Sequence, residues 1–168
     1  MKKILLISIA MFWSLFAGCQ PNSGPKFCDS APTEYNYQYS GTMAYPIVSY
    51  KVSIQEKDGT VALSYSEDGP DVTIYRAPAD LLQKIGEKVR AHKLYKLKNH
   101  YEPSFEILDG YGWSVGFIYE DGYIFSGGSN AWPDGKLWAG ITEINGMLQA
   151  IVDNAAPEDI IGTGSLRQ

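Results

Sequence analysis

Residues 48–65 read VSYKVSIQEKDGTVALSY, and this stretch decides the fold. Apolar side chains occupy every second position on both sides of its centre: Val48, Tyr50, Val52 and Ile54, then Val61, Leu63 and Tyr65. Such alternation is typical of strands with one buried face. Between the two arms stands Asp58-Gly59, and an Asp-Gly pair flanked by alternating apolar residues is the strongest local signal of a β-hairpin. The sequence therefore predicts two antiparallel strands joined at this pair.

Further strands and two helices are predicted on either side of this hairpin. Tyr35 and Tyr37 begin another alternating stretch, and a second hairpin is expected around Asp121-Gly122. Helical spacing appears once after Pro78 and again over about 137–152: Leu81, Ile85 and Val89, then Leu137, Ile141, Ile144, Leu148 and Ile151. We expect an α+β fold, with an antiparallel sheet built from hairpins and two helices packed on one face. Because the two Asp-Gly turns align, a duplicated ββα unit is one form that this fold can take.

The first residues have the layout of a secretory signal peptide. Lys2 and Lys3 form a basic head, and residues 4–16 contain only two polar side chains, both serine. Small residues then precede Cys19, as at a cleavage site. These 13 residues fall short of the about 20 that a membrane-spanning helix needs, although an ordinary signal peptide or a membrane anchor remains the alternative.

The end of this segment, Leu15-Phe16-Ala17-Gly18-Cys19, resembles the lipobox of bacterial lipoproteins. The resemblance implies cleavage before Cys19, a diacylglycerol on its sulfur and usually an acyl chain on its amine. Phe16 departs from the family, in which leucine is commoner at that position. Two or three acyl chains hold a protein on a bilayer, whereas one chain binds marginally. We therefore expect attachment to the cell membrane or outer membrane, with the domain facing the periplasm or the cell surface.

A second resemblance lies in the later half of the chain. Asp109-Gly110-Tyr111-Gly112-Trp113, followed by Ser126-Gly127-Gly128-Ser129-Asn130-Ala131-Trp132-Pro133, is similar to a pattern in uncharacterised envelope lipoproteins of Bacteroidota-type bacteria. Trp132 stands where tyrosine is usual. The resemblance implies a small α+β domain and carries no activity with it.

Composition divides the chain into four parts. We expect a signal peptide at 1–18, the lipidated Cys19 with a flexible tether at 19–33, the α+β domain at 34–153, and a disordered tail at 154–168. The formal charge of −5 becomes −7 once Lys2 and Lys3 are removed, which argues against nucleic acid as a partner. Cys28 has no partner for a disulfide if Cys19 is lipidated, and we expect it to be an unpaired thiol in the tether.

Few residues have a pattern that points to catalysis. His92 and His100 lack a recognised metal-ligand spacing, and we expect neither a metal nor another cofactor. Acidic residues are found in the loops, at Glu102, Glu106, Asp109, Glu120 and Asp121. A pair of them across a cleft is what a glycosidase requires, so a small glycan-acting hydrolase is an alternative function. The basic run from Lys84 to His100 is expected to be a solvated helix face, and the alternative is a surface that meets an anionic glycan, lipid headgroups or an acidic partner.

The Gly-rich loop at 126–135 is the candidate ligand-binding surface. Asn130 offers a donor and an acceptor, Trp132 offers a flat apolar face, and Ser129 offers a hydroxyl. Loops held by rigid elements often carry binding residues. The competing interpretation is that Trp132 packs on the core and Asn130 satisfies loop backbone groups. The sequence thus predicts a lipoprotein, not an enzyme, whose domain binds an envelope protein or a glycan, with a purely structural lipoprotein as a further alternative.

Overall fold

A computed structural model describes residues 25–41, 46–105 and 110–165. Its strands are β1 (Glu34–Ser40), β2 (Pro46–Ile54), β3 (Val61–Glu67), β4 (Asp71–Arg76), β5 (His100–Tyr101), β6 (Gly112–Ile118), β7 (Tyr123–Ser129) and β8 (Ile160–Ser165). Its α-helices are α1 (Leu81–His92) and α2 (Gly135–Asp153), and short 3₁₀ helices span Lys26–Asp29, Leu94–Lys96 and Pro157–Asp159. The strands form one sheet in the order β5-β7-β6-β1-β2-β3-β4-β8. All neighbours are antiparallel except β5 and β7, which confirms the predicted α+β fold.

The predicted hairpin forms between β2 and β3. Gly59 has a φ of 71°, a conformation that glycine adopts without steric cost. An Asp58 side-chain oxygen accepts a hydrogen bond of 2.9 Å from the backbone N–H of Thr60. Val52 consequently lies opposite Leu63, and both side chains point to the buried face. A fourth strand, β4, separates this hairpin from α1, whereas β7 leads directly into α2.

The helices and one face of the sheet share a single core. Tyr35 and Phe117 on the strands are fully buried together with Ile85 of α1 and Ile144 of α2. Two tyrosines of the sheet also bind α2 by hydrogen bonds of 2.6 Å, from Tyr35 to Asn145 and from Tyr50 to Gln149. Both helices therefore lie on one side of the sheet, which we call the helix side. The opposite side is called the open face.

The helix boundaries differ slightly from the expectation. Helix α1 begins at Leu81, so Pro78 lies ahead of the first turn and its carbonyl accepts from the Leu81 N–H at 3.0 Å. Helix α2 begins at Gly135 because the Asp134 side chain caps it, accepting hydrogen bonds from the N–H groups of Lys136 and Leu137.

The expected flexible tether at 19–33 is wrong for its later part. Residues 25–33 pack on the domain, and the Arg90 guanidinium donates to the carbonyl of Cys28 at 2.9 Å. The backbone N–H of Thr33 donates to Ile118 at 2.7 Å. Cys28 is buried, and burial raises the pKa of its thiol above the ordinary value, so the thiol stays protonated at neutral pH. The signal peptide and Cys19 lie outside the described residues.

The expected disordered tail at 154–168 is also wrong for residues 154–165, and residues 166–168 lie outside the described residues. Residues 160–165 form β8, which pairs with β4 along the edge of the sheet, with Ile74 opposite Gly162. Pairing with an existing edge satisfies the backbone groups of a segment that has no apolar periodicity of its own. Among the described residues, no helix has the length and apolar character of a membrane span.

Candidate functional site

The open face carries small and polar side chains along its middle strands. One row across neighbouring strands runs Phe125, Gly116, Asn36, Lys51, Ser64 and Ile74. A parallel row runs Gly127, Ser114, Gln38, Ser49 and Ser66. Side chains alternate between the two sides of a sheet, so these rows face away from the helices. The centre of the open face is thus polar, and apolar side chains lie at its two ends.

A groove of about 220 Å³ lies on this face. Its polar lining consists of Asn36, Gln38, Ser49, Lys51, Ser64 and Ser66, and Val72 of β4 lies beside them. Ser66 is only 3% exposed, and within the part of the chain that the structure describes its hydroxyl has no hydrogen-bond partner. A buried polar atom without a partner costs about 1–3 kcal/mol, so Ser66 marks a position where a ligand atom would be favourable.

The charges beside the groove are paired. Lys51 forms an ion pair of 2.9 Å with Glu34, and the Asn36 amide donates to the same carboxylate at 2.7 Å. Burial raises the pKa of Glu34, but the hydrogen bonds from Asn36 and Lys51 and the charge of Lys51 outweigh it, and the pKa lies below its ordinary value. Glu34 is therefore ionised at neutral pH, and this part of the open face is formally neutral.

Exposed apolar side chains adjoin the groove on β6 and β7. Phe125 is 58% exposed and Tyr123 is 73% exposed, and Ile118 lies opposite Tyr123 on the neighbouring strand. A Cβ atom at Gly116 would meet the Phe125 ring at 3.7 Å and the Asn36 side chain at 3.9 Å. Phe125 and Asn36 therefore border the same gap above Gly116, which places the apolar edge next to the groove.

The predicted binding residues lie at the end of β7. Asn130 has a φ of 50°, its N–H donates to the carbonyl of Tyr111, and its side-chain oxygen accepts from the Tyr111 N–H at 3.0 Å. Its amide thus connects two loops. Ser129 is exposed and lies opposite Gly112 at the margin of the open face. The structure does not bring Ser129 and Asn130 into the groove.

Trp132 ends a chain of aromatic contacts on the helix side. Tyr101 contacts Trp113, Trp113 contacts Trp138, and Trp138 contacts Trp132, with ring centres 5.4–6.4 Å apart. The Trp113 N–H donates to Ala131 at 2.8 Å, which fixes the loop. Trp132 itself stays 44% exposed. It therefore offers a second surface, on the side of the sheet opposite the groove.

Both histidines and several residues of the basic run have local partners. His92 and Lys88 both contact the Glu143 carboxylate, at 3.2 and 2.7 Å, and His100 contacts Glu102 at 3.0 Å. Hydrogen bonds from Lys88 and His92 lower the pKa of Glu143. Within the basic run, Lys84 pairs with Asp80, Lys88 with Glu143, and Arg90 with the backbone of residues 28–30. Glu106 and Asp109 lie outside the described residues.

Sequence reasoning missed the groove because polar positions of a half-buried strand are usually solvated. A signal was nevertheless present. The outward positions of β1–β3 are mostly serine and amide side chains, including Gln38, Ser49, Ser64 and Ser66, whereas a solvated sheet face more often carries long charged residues. Compact polar groups repeated on neighbouring strands favour a recessed surface.

No protein-family model, curated protein or solved structure matches this chain.

Proposed function

We propose that the protein is a lipoprotein of the cell envelope, anchored by lipid on Cys19, whose domain binds an envelope protein or glycan on its open face. The observation that carries the binding proposal is the buried Ser66 hydroxyl at the groove, which has no hydrogen-bond partner among the described residues. Binding sites combine a recess with a few convergent polar groups, and this groove has both.

Binding is favoured over hydrolysis by the chemistry of the lining. None of the described residues that line the groove is an aspartate or glutamate. A glycosidase needs two carboxylates across the scissile bond. Glu34, the nearby carboxylate, accepts from Lys51 and Asn36 and is held ionised, whereas a general acid must be protonated.

The anchor is supported by the N-terminal sequence, and the packed segment sets its reach. If Cys19 carries the lipid, only residues 20–24 separate it from Pro25, where the described domain begins. Five residues span at most about 18 Å. The domain would then work close to the membrane surface.

The anchor is tested by mass spectrometry of the mature N-terminus. A diacylated or triacylated Cys19 is expected, and Cys19→Ala should release the protein from membranes. An unmodified N-terminus at another residue, or a Cys19→Ala protein that still sediments with membranes, would contradict the anchor.

The site is tested with two buried serines. Ser66→Ala removes a hydroxyl that has no partner among the residues the structure describes, so we expect unchanged or higher stability and reduced crosslinking of the lipidated protein to envelope material. Ser126→Ala is the matched control, because the Ser126 hydroxyl donates to the Lys98 carbonyl at 2.6 Å. It should lower stability and leave crosslinking intact in the folded protein. Equal crosslinking by wild type and Ser66→Ala would show that the groove is not the site.

A further inference from the structure

We infer that the ligand of the open face is an uncharged oligosaccharide that lies across the strands, with one sugar ring on Phe125 and others in the groove. This inference rests on the proposed location of the site and specifies its ligand.

The first argument is the hydrogen-bonding character of the groove. The amides of Asn36 and Gln38 and the hydroxyls of Ser49, Ser64 and Ser66 all donate and accept hydrogen bonds. Sugar hydroxyls have the same dual character. Lys51 is the charged residue of the groove lining, and because it is paired with Glu34 the lining offers no surplus charge to an ionic ligand. A neutral polyhydroxylated ligand therefore matches the groove in both hydrogen bonding and charge.

The second argument is the flat apolar ring at one end. Phe125 forms an exposed apolar patch with Tyr123 and Ile118, and such a patch bordered by polar residues is characteristic of a binding surface. The C–H face of a sugar ring packs on such an aromatic face, while the sugar's hydroxyls point outward. The gap above Gly116 connects this ring to Asn36, so a sugar on Phe125 lies next to the first amide of the groove.

The third argument is size. Pockets that enclose a drug-sized molecule measure roughly 300–1,000 Å³, so a groove of about 220 Å³ holds only part of such a ligand. From β7, which carries Phe125, to β3, which carries Ser64, are four strand spacings of about 4.8 Å each, or about 19 Å. The row from Phe125 to Ser64 therefore exceeds one sugar and suits a short chain of them.

A peptide fits this surface less well. An extended peptide binds a sheet by adding a strand at its edge, where backbone groups are open. The groove lies over β1, β2 and β3, and each of these strands is paired on both sides. In this part of the sheet only side chains are open to a ligand. These side chains match sugar hydroxyls better than they match a peptide backbone.

The experiment is titration calorimetry of the mature chain with neutral tetrasaccharides of glucose, mannose and N-acetylglucosamine. An acidic oligouronate and an unrelated peptide serve as comparison ligands. We expect at least one neutral tetrasaccharide to bind and the comparison ligands to bind more weakly. Phe125→Ala, at an exposed position, should weaken binding about tenfold.

Gly116→Val separates binding from folding. Its Cβ has room, valine favours a strand, and its methyl groups fill the gap between Phe125 and Asn36. We expect this variant to keep its melting temperature and lose the tetrasaccharide. Trp132→Ala is the control, because Trp132 lies on the helix side and should leave the affinity unchanged.

Three outcomes would overturn the inference: no neutral tetrasaccharide binds, the oligouronate or the peptide binds more tightly, or Phe125→Ala and Gly116→Val bind like wild type. If crosslinking to envelope material still depends on Ser66 in any of these cases, the proposed site stands and only the glycan assignment falls. If Ser66→Ala changes neither crosslinking nor titration, both proposals fail together.

Discussion

Replacing glycine by alanine should affect the stability of the protein differently at two positions of α2, Gly140 and Gly146. Gly140 is buried where α2 crosses α1, and a Cβ atom there would lie 2.6 Å from the Cβ of His92 and 2.9 Å from a methyl group of Leu94. Gly146 is exposed on the same helix, and none of the other described residues has an atom within 4 Å of a Cβ placed there. Replacing glycine by alanine within a helix stabilises it by about 0.8–1.0 kcal/mol at either position. Only position 140 adds a steric penalty.

The magnitude follows from the difference between the two variants. The Cβ of His92 is fixed to the backbone of α1, so Gly140→Ala has to push the helices apart. Overpacking of this kind costs about 1–3 kcal/mol. Because helix propensity cancels, Gly140→Ala should be about 1–3 kcal/mol less stable than Gly146→Ala, which corresponds to roughly 2–12 °C in melting temperature for a domain of this size.

Thermal and urea unfolding of both variants and wild type measure this difference. Gly146→Ala should melt above wild type, and Gly140→Ala should melt below Gly146→Ala. Two variants of equal stability would show that α1 and α2 are not in close contact at residue 140, and the described helix packing would be wrong.

Three further predictions concern the core, the tyrosines and the Trp132 surface. Ile144→Ala should lower the free energy of unfolding by about 2–5 kcal/mol because Ile144 is fully buried. Lys88→Ala, at an exposed position, should change the melting temperature little. Equal effects of the two substitutions would show that Ile144 does not lie on the buried face of α2. Burial first, and the charges of Glu67 and Asp153 next, raise the pKa of Tyr50 to about 12. The contribution of Tyr50 to folding stability should therefore be fully present below about pH 10 and be lost as the pH rises from about 10 to 12. Tyrosinate absorbance recorded during alkaline unfolding tests this prediction. Tyr50→Phe should make stability fall less steeply with rising pH, and an unchanged dependence on pH in that variant would refute the role of Tyr50. Trp132→Ala should reduce the free energy of unfolding less than Ile144→Ala does, because Trp132 is 44% exposed. If Trp132→Ala loses crosslinked envelope partners but still binds the groove ligand, Trp132 belongs to a second binding surface.

Features set by local periodicity were predictable from the sequence. The Asp58-Gly59 turn needs only its own residues and two alternating arms, and the stripe that contains Ile144 fixes the buried side of α2. The periodicity of a strand or helix is visible within one segment, so these elements follow from sequence alone.

Features set by distant partners were not predictable. Strand β8 reads IIGTGS and has no apolar alternation, and it forms because the edge of β4 is available to it. Asn130 offers hydrogen-bonding groups that suit a ligand, but its partner Tyr111 lies 19 positions away in another loop. Only the folded structure shows that the edge of β4 lies beside β8 and that the Tyr111 N–H lies beside Asn130.

The groove could not be predicted from the sequence for a third reason. Val72 and Ile74 of β4 point to the open face, while Thr73 and Tyr75 point to the helix side. Both sets contain apolar side chains, so alternation within β4 does not say which side is buried. The recess near Ser66 exists only once β1, β2, β3 and β4 lie side by side.

The position of β1 in the middle of the sheet governs the order in which the chain folds. Strands β1 to β4 pair with their neighbours along the chain, but the other side of β1 pairs with β6, which places Tyr35 opposite Phe117. Closing so long a loop is entropically costly and slow compared with forming adjacent hairpins. As the chain is synthesised from its N-terminus, the first four strands therefore emerge with one side of β1 open, and an open strand edge invites aggregation. The late arrival of β6 and β7 is the step at which a chaperone would matter most for this protein.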